Sequence, residues 1–278
     1  MRKQRTIQAP IAVSGVSLHG GAMVGAKLEP MDEDSGVVFD VDGVMIPAHV
    51  SHVVDTQLAT TLGMDGARVR TVEHLLSTLL GMGIDNLCVK VQGDELPVLD
   101  GCASEWMTQI QSVGVVEQSQ KLRQLHVVKP IEVGHGKRWA RLEPGDGMAM
   151  DVTIEFDHPC VGRQQLSVDV NPRVFESELA WARTFGFERL VPAMQRMGLV
   201  RGGTLGNALV FGDAGPLNEG GLRAPDEPVR HKALDALGDM ALLGHPFVGR
   251  LVAERPGHGI VFELVQATLN QSDAYEIQ

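Results

Sequence analysis

The sequence predicts an α+β fold assembled from two copies of one unit, and three observations carry that prediction. Pro10-Ile11-Ala12-Val13 leads to Lys27-Leu28-Glu29-Pro30, and Pro130-Ile131-Glu132-Val133 leads to Arg141-Leu142-Glu143-Pro144. Each pair reads as a hairpin ending at a Glu-Pro break. Short strand-like runs follow in both halves, Gly36-Val37-Val38-Phe39-Asp40 and Met148-Ala149-Met150-Asp151-Val152. Each half then reaches an apolar helix that carries histidine and acidic side chains. One such match can arise by chance; several in the same order favour duplication of a unit of ordinary domain size. The polar, aperiodic stretch Gln118-Ser119-Gln120-Lys121 marks the seam, giving a first repeat over residues 1–120 and a second over 121–278.

Within the first repeat, Val72 to Leu80 reads as a helix, with Thr71 as N-cap and Glu73 well placed in the first turn. Gly81 and Gly83 are its stop signals. Asn86-Leu87-Cys88-Val89-Lys90-Val91 has the β-branched content of a strand, and Pro97-Val98-Leu99-Asp100-Gly101 reads as a strand closing in a turn. A second helix is expected from Ala103 to Val113. In the second repeat, Pro228 suits the first turn of a helix and would disrupt it later. The helix therefore starts there, capped by Asp226 or Glu227, and runs to Leu243 before Gly244. At about 100° per residue, His231, Asp235 and Asp239 fall within about 80° of one another. Leu234, Leu237, Met240 and Ala241 cover the opposite side, so one face is expected to be polar and the other core-forming.

Composition narrows the classes. With 44% hydrophobic and 21% charged residues over 278 positions, the chain can fold around one large core or two ordinary ones. Its formal net charge of -11, from 24 Lys+Arg against 35 Asp+Glu, argues against a nucleic-acid partner, which needs a clustered positive surface. Cys88, Cys102 and Cys160 show no CxxC spacing; they suggest neither a disulfide framework nor a thiolate metal site, and fit a reducing cytoplasm. The basic start Met1-Arg2-Lys3-Gln4-Arg5 is followed by Gln8, Pro10 and Ser14 rather than a long apolar run, so neither an export signal nor a membrane span is expected.

The chemistry concentrates on Glu73-His74 in one half and on His231 with Asp235 in the other. Imidazole and carboxylate suit a divalent metal such as zinc, and three protein ligands leave a coordination position for water. Alone, His-x-x-x-Asp is a common surface pair, and a first-turn Glu compensates the helix dipole. Their joint occurrence at equivalent places in two repeats makes them candidates for one shared site.

Several longer stretches carry a resemblance: Thr71-Val72-Glu73-His74-Leu75-Leu76, Gly83-Ile84-Asp85-Asn86, Ala182-Arg183-Thr184-Phe185-Gly186-Phe187, Leu217-Asn218-Glu219, and His231-Lys232-Ala233-Leu234-Asp235-Ala236-Leu237-Gly238-Asp239. In order and over nearly the whole chain they resemble the UDP-3-O-acyl-N-acetylglucosamine deacetylase family, zinc amidases of lipid A synthesis. The resemblance implies that each repeat is a helix layer on a β-sheet, with the site between the helix layers. It also implies a small βαβ insertion, about 185–209 here, that builds an apolar passage for the substrate's acyl chain.

By that resemblance His74, His231 and Asp235 are the zinc ligands and Glu73 is the general base. Physical chemistry agrees, because a carboxylate beside a metal can take a proton from water whose pKa the ion lowers. Thr184 and the metal are then the stabilisers of the oxyanion. His258, in Pro256-Gly257-His258-Gly259, matches a protonated partner that assists the oxyanion and protonates the departing amine, with Asp239 holding its imidazolium form. Lys232 matches a residue that orients sugar or phosphate oxygens, Phe185 one that packs on the glucosamine ring, Phe156 one that stacks on uracil, and Arg138 a basic residue near the diphosphate. On composition alone Lys232 is a solvent-exposed lysine, and both Phe are core residues. His19, in Ser17-Leu18-His19-Gly20-Gly21, stands open between a polar substrate contact and a turn residue. His49, His52, His126, His135, His158 and His245 have no catalytic spacing.

The chain departs from the family pattern at four places. Glu188 stands where an apolar side chain is usual, Leu190 where an acid is usual, and Pro228 where an aromatic precedes the second helix. Gly259-Ile260-Val261 follows His258, and Gly259 is expected to loosen the backbone there. None of these is an expected zinc ligand or Glu73, so chemistry should survive better than substrate identity. The function implied is zinc-dependent hydrolysis of the acetamide of UDP-3-O-(3-hydroxyacyl)-N-acetylglucosamine with release of acetate, the committed step of lipid A biosynthesis. The enzyme would be a cytoplasmic monomer whose partner is this small-molecule substrate. A diverged deacetylase of another N-acyl sugar and a non-catalytic sugar-nucleotide or lipid-binding relative are the alternatives.

Overall fold

The computed structural model describes residues 2–278. Two β-sheets with the same strand order organise it, and each begins with an expected hairpin. In the first, Ile11–Val16 pairs antiparallel with Met23–Pro30, Ile11 opposite Leu28. Met23–Pro30 then pairs antiparallel with Leu87–Gln92, which lies parallel to Val37–Val41, and Val44–Pro47 closes the far edge. In the second, Ile131–His135 pairs with Arg138–Glu143, which pairs antiparallel with Phe247–Glu254. Phe247–Glu254 lies parallel to Met148–Phe156, with Gly162–Asp169 at the edge. The two echoing runs around Phe39 and Met150 thus occupy the same position in the two sheets. Leu125–Val127 and Tyr275–Ile277 extend the second sheet to seven strands.

Alternation explains why these segments are strands. Phe247–Glu254 buries every second residue, Leu251 fully, and Phe39, Leu28, Val89 and Ile46 turn inward from the first sheet in the same way. Helices cover the inward faces. Among the described residues there are six α-helices: α1 (Glu73–Met82), α2 (Ser104–Val113), α3 (Pro172–Val174), α4 (Val191–Arg196), α5 (Glu227–Met240) and α6 (His258–Asn270). Leu75, Leu76 and Leu79 of α1 share one continuous core with Leu28 and Val89 of the first sheet and with Leu234, Leu237 and Met240 of α5. Layer meets layer where α1 packs on α5.

Two insertions sit at matching points, each between the edge strand of its sheet (Val44–Pro47 or Gly162–Asp169) and the helix that follows the insertion, α1 or α5. The first, which the sequence did not suggest, is a three-stranded antiparallel piece of Val53–Asp55, Thr61–Met64 and Ala67–Arg70. The second is the expected βαβ unit. Phe185–Phe187 runs parallel to Leu209–Gly212 with α4 between them, and Gly215–Pro216 adds a short third strand.

Several local expectations need correction. Thr71 does not cap α1; it has φ 58°, and its hydroxyl donates to Glu95 instead, while Val72 occupies the cap position without a side-chain bond. Gly81 does not stop the helix, which runs to Met82 and ends at Gly83 in the left-handed conformation. Gly81 is instead a packing residue, because a methyl group there would overlap the Phe175 ring. Pro97 to Gly101 is not a strand: Pro97 makes one bridge to Ser17, and Leu99 and Gly101 both have positive φ. Helix α5 starts at Glu227, one residue before the expected Pro228, with Asp226 at the cap position, but Asp226 gives no side-chain cap bond. Its last turn, Ala241–Leu243, tightens to 3-10 before Gly244. The expected polar face of α5 is buried, since it is pressed against α1 rather than solvent.

That helix contact depends on Gly238, where a methyl group would overlap the Glu73 carbonyl. Because the obstacle is backbone, no rotamer change relieves it. Gly238→Ala is expected to lower unfolding stability by about 3 kcal/mol, the upper end for overpacking. Denaturant unfolding checks this, and an unchanged midpoint would contradict the packing described.

Candidate metal centre and acid–base site

The contact of α1 with α5 brings three side chains of the expected site together. His74 lies in the first turn of α1, and His231 and Asp235 lie one turn apart on α5. The Nε2 atoms of His231 and His74 stand 3.2 and 3.5 Å from Asp235 Oδ1, with the two rings edge to face. One nitrogen from each imidazole and one carboxylate oxygen lie within 4.8 Å of one another, and all three residues are buried.

The donor set fits a divalent cation. Burial drives the His231 pKa down to about 3, so its ring is neutral. Its Nδ1 donates to the Ala182 carbonyl at 3.0 Å, which leaves the Nε2 lone pair facing Asp235. Burial alone would raise the Asp235 pKa, but His231 and Lys232 outweigh it and hold the carboxyl well below its usual range. Lys232 Nζ takes Oδ2 at 2.6 Å. Oδ1 is buried and receives no hydrogen bond of proper geometry, despite the two nearby nitrogens. An ionised oxygen left so is costly, and a cation at the convergence point would satisfy it.

A second group of side chains adjoins this triangle. Glu73 precedes His74, and its Oε2 accepts the Thr60 backbone N–H at 3.1 Å. Burial raises the Glu73 pKa, with His258 and His74 opposing. His258 opens α6; its Nε2 lies 3.8 Å from Glu73 Oε1, and its Nδ1 bonds Asp239 Oδ2 at 2.8 Å. Burial disfavours the imidazolium, but the carboxylates of Asp239 and Glu73 prevail and lift His258 to about 9. Asp239 Oδ1 accepts the Thr60 hydroxyl at 2.5 Å, and that hydroxyl is 3.3 Å from His258 Nδ1. Thr60 thus touches three groups of the site, yet nothing about Ala59-Thr60-Thr61-Leu62 marks it in the sequence; the first insertion carries it there.

A cavity of about 910 Å³ opens from these groups, and every remaining expected residue lines it. Thr184 lines it, its backbone N–H bonded to the Gly101 carbonyl at 2.7 Å. Phe185 packs edge to face on Phe156, and Lys232 Nζ lies over the Phe185 ring, 5.7 Å from its centroid. Both rings are half-buried rather than core, and Lys232 is not a free surface lysine. Arg138 is exposed on the cavity wall. His19 is buried, with its pKa lowered by that burial; its Nδ1 accepts a long bond from Val200 N–H and its Nε2 has no partner. Glu95, unmarked in the sequence, holds that segment by accepting the backbone N–H of His19 and of Gly20. Glu188, Leu190 and Gly259 line the same cavity, Gly259 within the first turn of α6.

Fold and site define a class: an α+β protein of repeated topology in which two histidines and a carboxylate that could hold a metal ion lie beside a buried glutamate and a protonated imidazole. The model of the family described as UDP-3-O-acyl N-acetylglycosamine deacetylase matches residues 4–270, and the chain belongs to that family. It is 43% identical to the UDP-3-O-acyl-N-acetylglucosamine deacetylase of Brucella melitensis biotype 2 over 279 aligned residues, 99% of this chain and 98% of the relative. Relatives of the same name from Brucella ovis and Brucella abortus (strain 2308) match at 43% identity with the same coverage. The chain is accordingly a deacetylase, a hydrolase acting on an amide. Among the described residues no helix is long and apolar enough to cross a membrane.

The raised pKa of His258 has a thermodynamic signature. Its contribution to the stability of the metal-free protein is complete below 6.5, the ordinary value, and is lost as pH rises toward about 9. The stability difference between the unsubstituted protein and His258→Gln should therefore shrink between about pH 6 and about pH 10. Unfolding measured at both pH values tests this, and a constant difference would contradict it.

Proposed function

We propose that the chain hydrolyses the acetamide of UDP-3-O-(3-hydroxyacyl)-N-acetylglucosamine, releasing acetate, and that this is the committed step of lipid A biosynthesis. The observation that carries the reading is the convergence of His74, His231 and the unsatisfied Asp235 Oδ1 beside Glu73 and His258. Zinc is the ion assigned to His74, His231 and Asp235, on the chemistry of two neutral nitrogens and one carboxylate. When bound, the ion supplies Lewis acidity, lowering the pKa of a water and polarising the amide carbonyl.

The chain's own groups handle the protons. Glu73 takes one from the attacking water, since burial makes its carboxylate a stronger base and the Thr60 N–H fixes it through Oε2. His258, charged because of Asp239, gives one to the departing amine from the Nε2 that faces Glu73. Asp239 and Thr60 keep that imidazolium in place. The Thr184 hydroxyl supports the developing oxyanion from the cavity wall.

Substrate placement follows the cavity. Lys232 serves twice, fixing Asp235 through Oδ2 and presenting its ammonium beside the Phe185 ring, where the glucosamine would pack. Phe156, in edge contact with Phe185, is assigned to uracil, exposed Arg138 to the diphosphate, and the buried His19 to a polar substrate contact. The βαβ insertion, with Leu190, Val191 and Met194 on the cavity wall, is assigned to the acyl chain. Glu188 and Leu190 then bear on acyl selectivity rather than on the hydrolytic step. We place the seam between the repeats at residues 120 and 121, and take the working enzyme to be a cytoplasmic monomer without a nucleic-acid partner.

Acetate release from UDP-3-O-acyl-N-acetylglucosamine, with zinc analysis on the same preparation, tests the assignment. Glu73→Ala and His258→Ala should each retain zinc and lose activity by roughly 10²–10⁴-fold, the scale of a positioned base or acid. His74→Ala and Asp235→Ala should lose the zinc itself. Full turnover in Glu73→Ala, or stoichiometric zinc in Asp235→Ala, would contradict the roles given.

A further inference from the structure

Glu227 is the first residue of α5 and has no solvent exposure, a costly place for a carboxylate unless it is fully bonded. It is. Arg183 meets it with a fork, Nε to Oε1 at 2.8 Å and Nη2 to Oε2 at 3.0 Å, and the Arg183 backbone N–H adds a third bond at 3.1 Å. The Arg223 backbone N–H supplies a fourth at 2.7 Å. The residue just before Arg183 is Ala182, whose carbonyl accepts Nδ1 of His231. His231 lies one turn along α5 from Glu227. One helix therefore both grips the Ala182-Arg183 peptide and presents the imidazole to it.

The first repeat holds the same segment on either side. Ala103 N–H donates to the Ala180 carbonyl at 2.8 Å, and Thr184 N–H to the Gly101 carbonyl at 2.7 Å. Gly101 makes this possible, since its φ of +87° is left-handed and a methyl group there would overlap the Asn207 carbonyl. The Ala182 carbonyl is thus fixed relative to both halves of the site. A carbonyl can only accept, so it commits the proton of neutral His231 to Nδ1 and leaves Nε2 free to ligate.

We propose that the pair of buried Glu227 with partly buried Arg183 is a positioning device for the metal centre, acting through the Ala182 carbonyl to set the tautomer and aim of His231. This rests on the metal-site reading above. Neither residue touches the cation position or the cavity. The fork determines where the Ala182-Arg183 peptide sits, the peptide determines which imidazole nitrogen bears the lone pair, and the lone pair determines affinity for the ion.

Two measurements test it. The first needs no substitution: ¹⁵N NMR of the metal-free protein should show His231 protonated at Nδ1, and protonation at Nε2 would overturn the proposal. The second is zinc affinity by chelator competition, using zinc alone, in Glu227→Gln and in Arg183→Lys. Glu227→Gln keeps the shape but loses the charge, and Arg183→Lys keeps the charge but loses the fork. Either folded variant should bind zinc roughly 10–100-fold more weakly, the usual effect of removing outer support from a ligand, with Nε2-protonated His231 appearing in its metal-free spectrum. A variant of lowered melting temperature with unchanged zinc affinity and unchanged tautomer would reduce the pair to a fold-stabilising ion pair and overturn the proposal. Failure of the unsubstituted protein to bind stoichiometric zinc would instead overturn the underlying metal reading, so the two failures are distinct.

Discussion

The backbone-to-backbone approach of α1 and α5 is the constraint on which the site depends. Gly238 lies against the Glu73 carbonyl with no room for a methyl group, and that closeness puts His74 of one helix within reach of Asp235 on the other. Ligands from two halves of a chain can share one ion only if the elements carrying them are held rigidly at short range. Here the apolar residues of α1 and α5 belong to one core, so the geometry of the site is secured by the same packing that secures the fold. Gly81 against the Phe175 ring is a second close approach by the same helix.

Burial then sets the charges. His231, Glu73 and His258 all lose water, but the outcomes diverge with their partners. His231 is neutral above about 3, the Glu73 pKa is raised, and His258 stays protonated to about 9 because two carboxylates face it. A base and an acid whose environments push them in useful directions can work side by side at one pH. Thr60 links the two, with its N–H on Glu73 and its hydroxyl on Asp239. Around them most buried polar atoms have partners, which makes Asp235 Oδ1 informative as an oxygen that has none.

What was legible in the sequence was local or repeated. The hairpins at Ile11 and Ile131 announced themselves by alternation and Glu-Pro breaks, and their recurrence agrees with the strand order that the two sheets share. Pro228 and Gly244 bracketed the second long helix because each has one tolerable place there. What was not legible depended on long-range partners. Thr60 and Asp239 are 179 residues apart, so no spacing could pair them. The expected Thr71 cap failed because Glu95, 24 residues on, offers its hydroxyl a buried carboxylate. Gly81 read as a helix stop because a required close approach to Phe175, far along the chain, leaves no local mark. The same applies to the α5 face judged polar: periodicity gave its angle, and only the fold shows that α1 rather than water lies opposite.

Zinc K-edge X-ray absorption on the loaded protein tests the central claim most directly. The site described predicts one zinc per chain in a shell of nitrogen and oxygen at about 2.0–2.1 Å, with two imidazoles and no sulfur. A sulfur shell at about 2.3 Å, a single imidazole, or no stoichiometric ion would contradict a centre built from His74, His231 and Asp235.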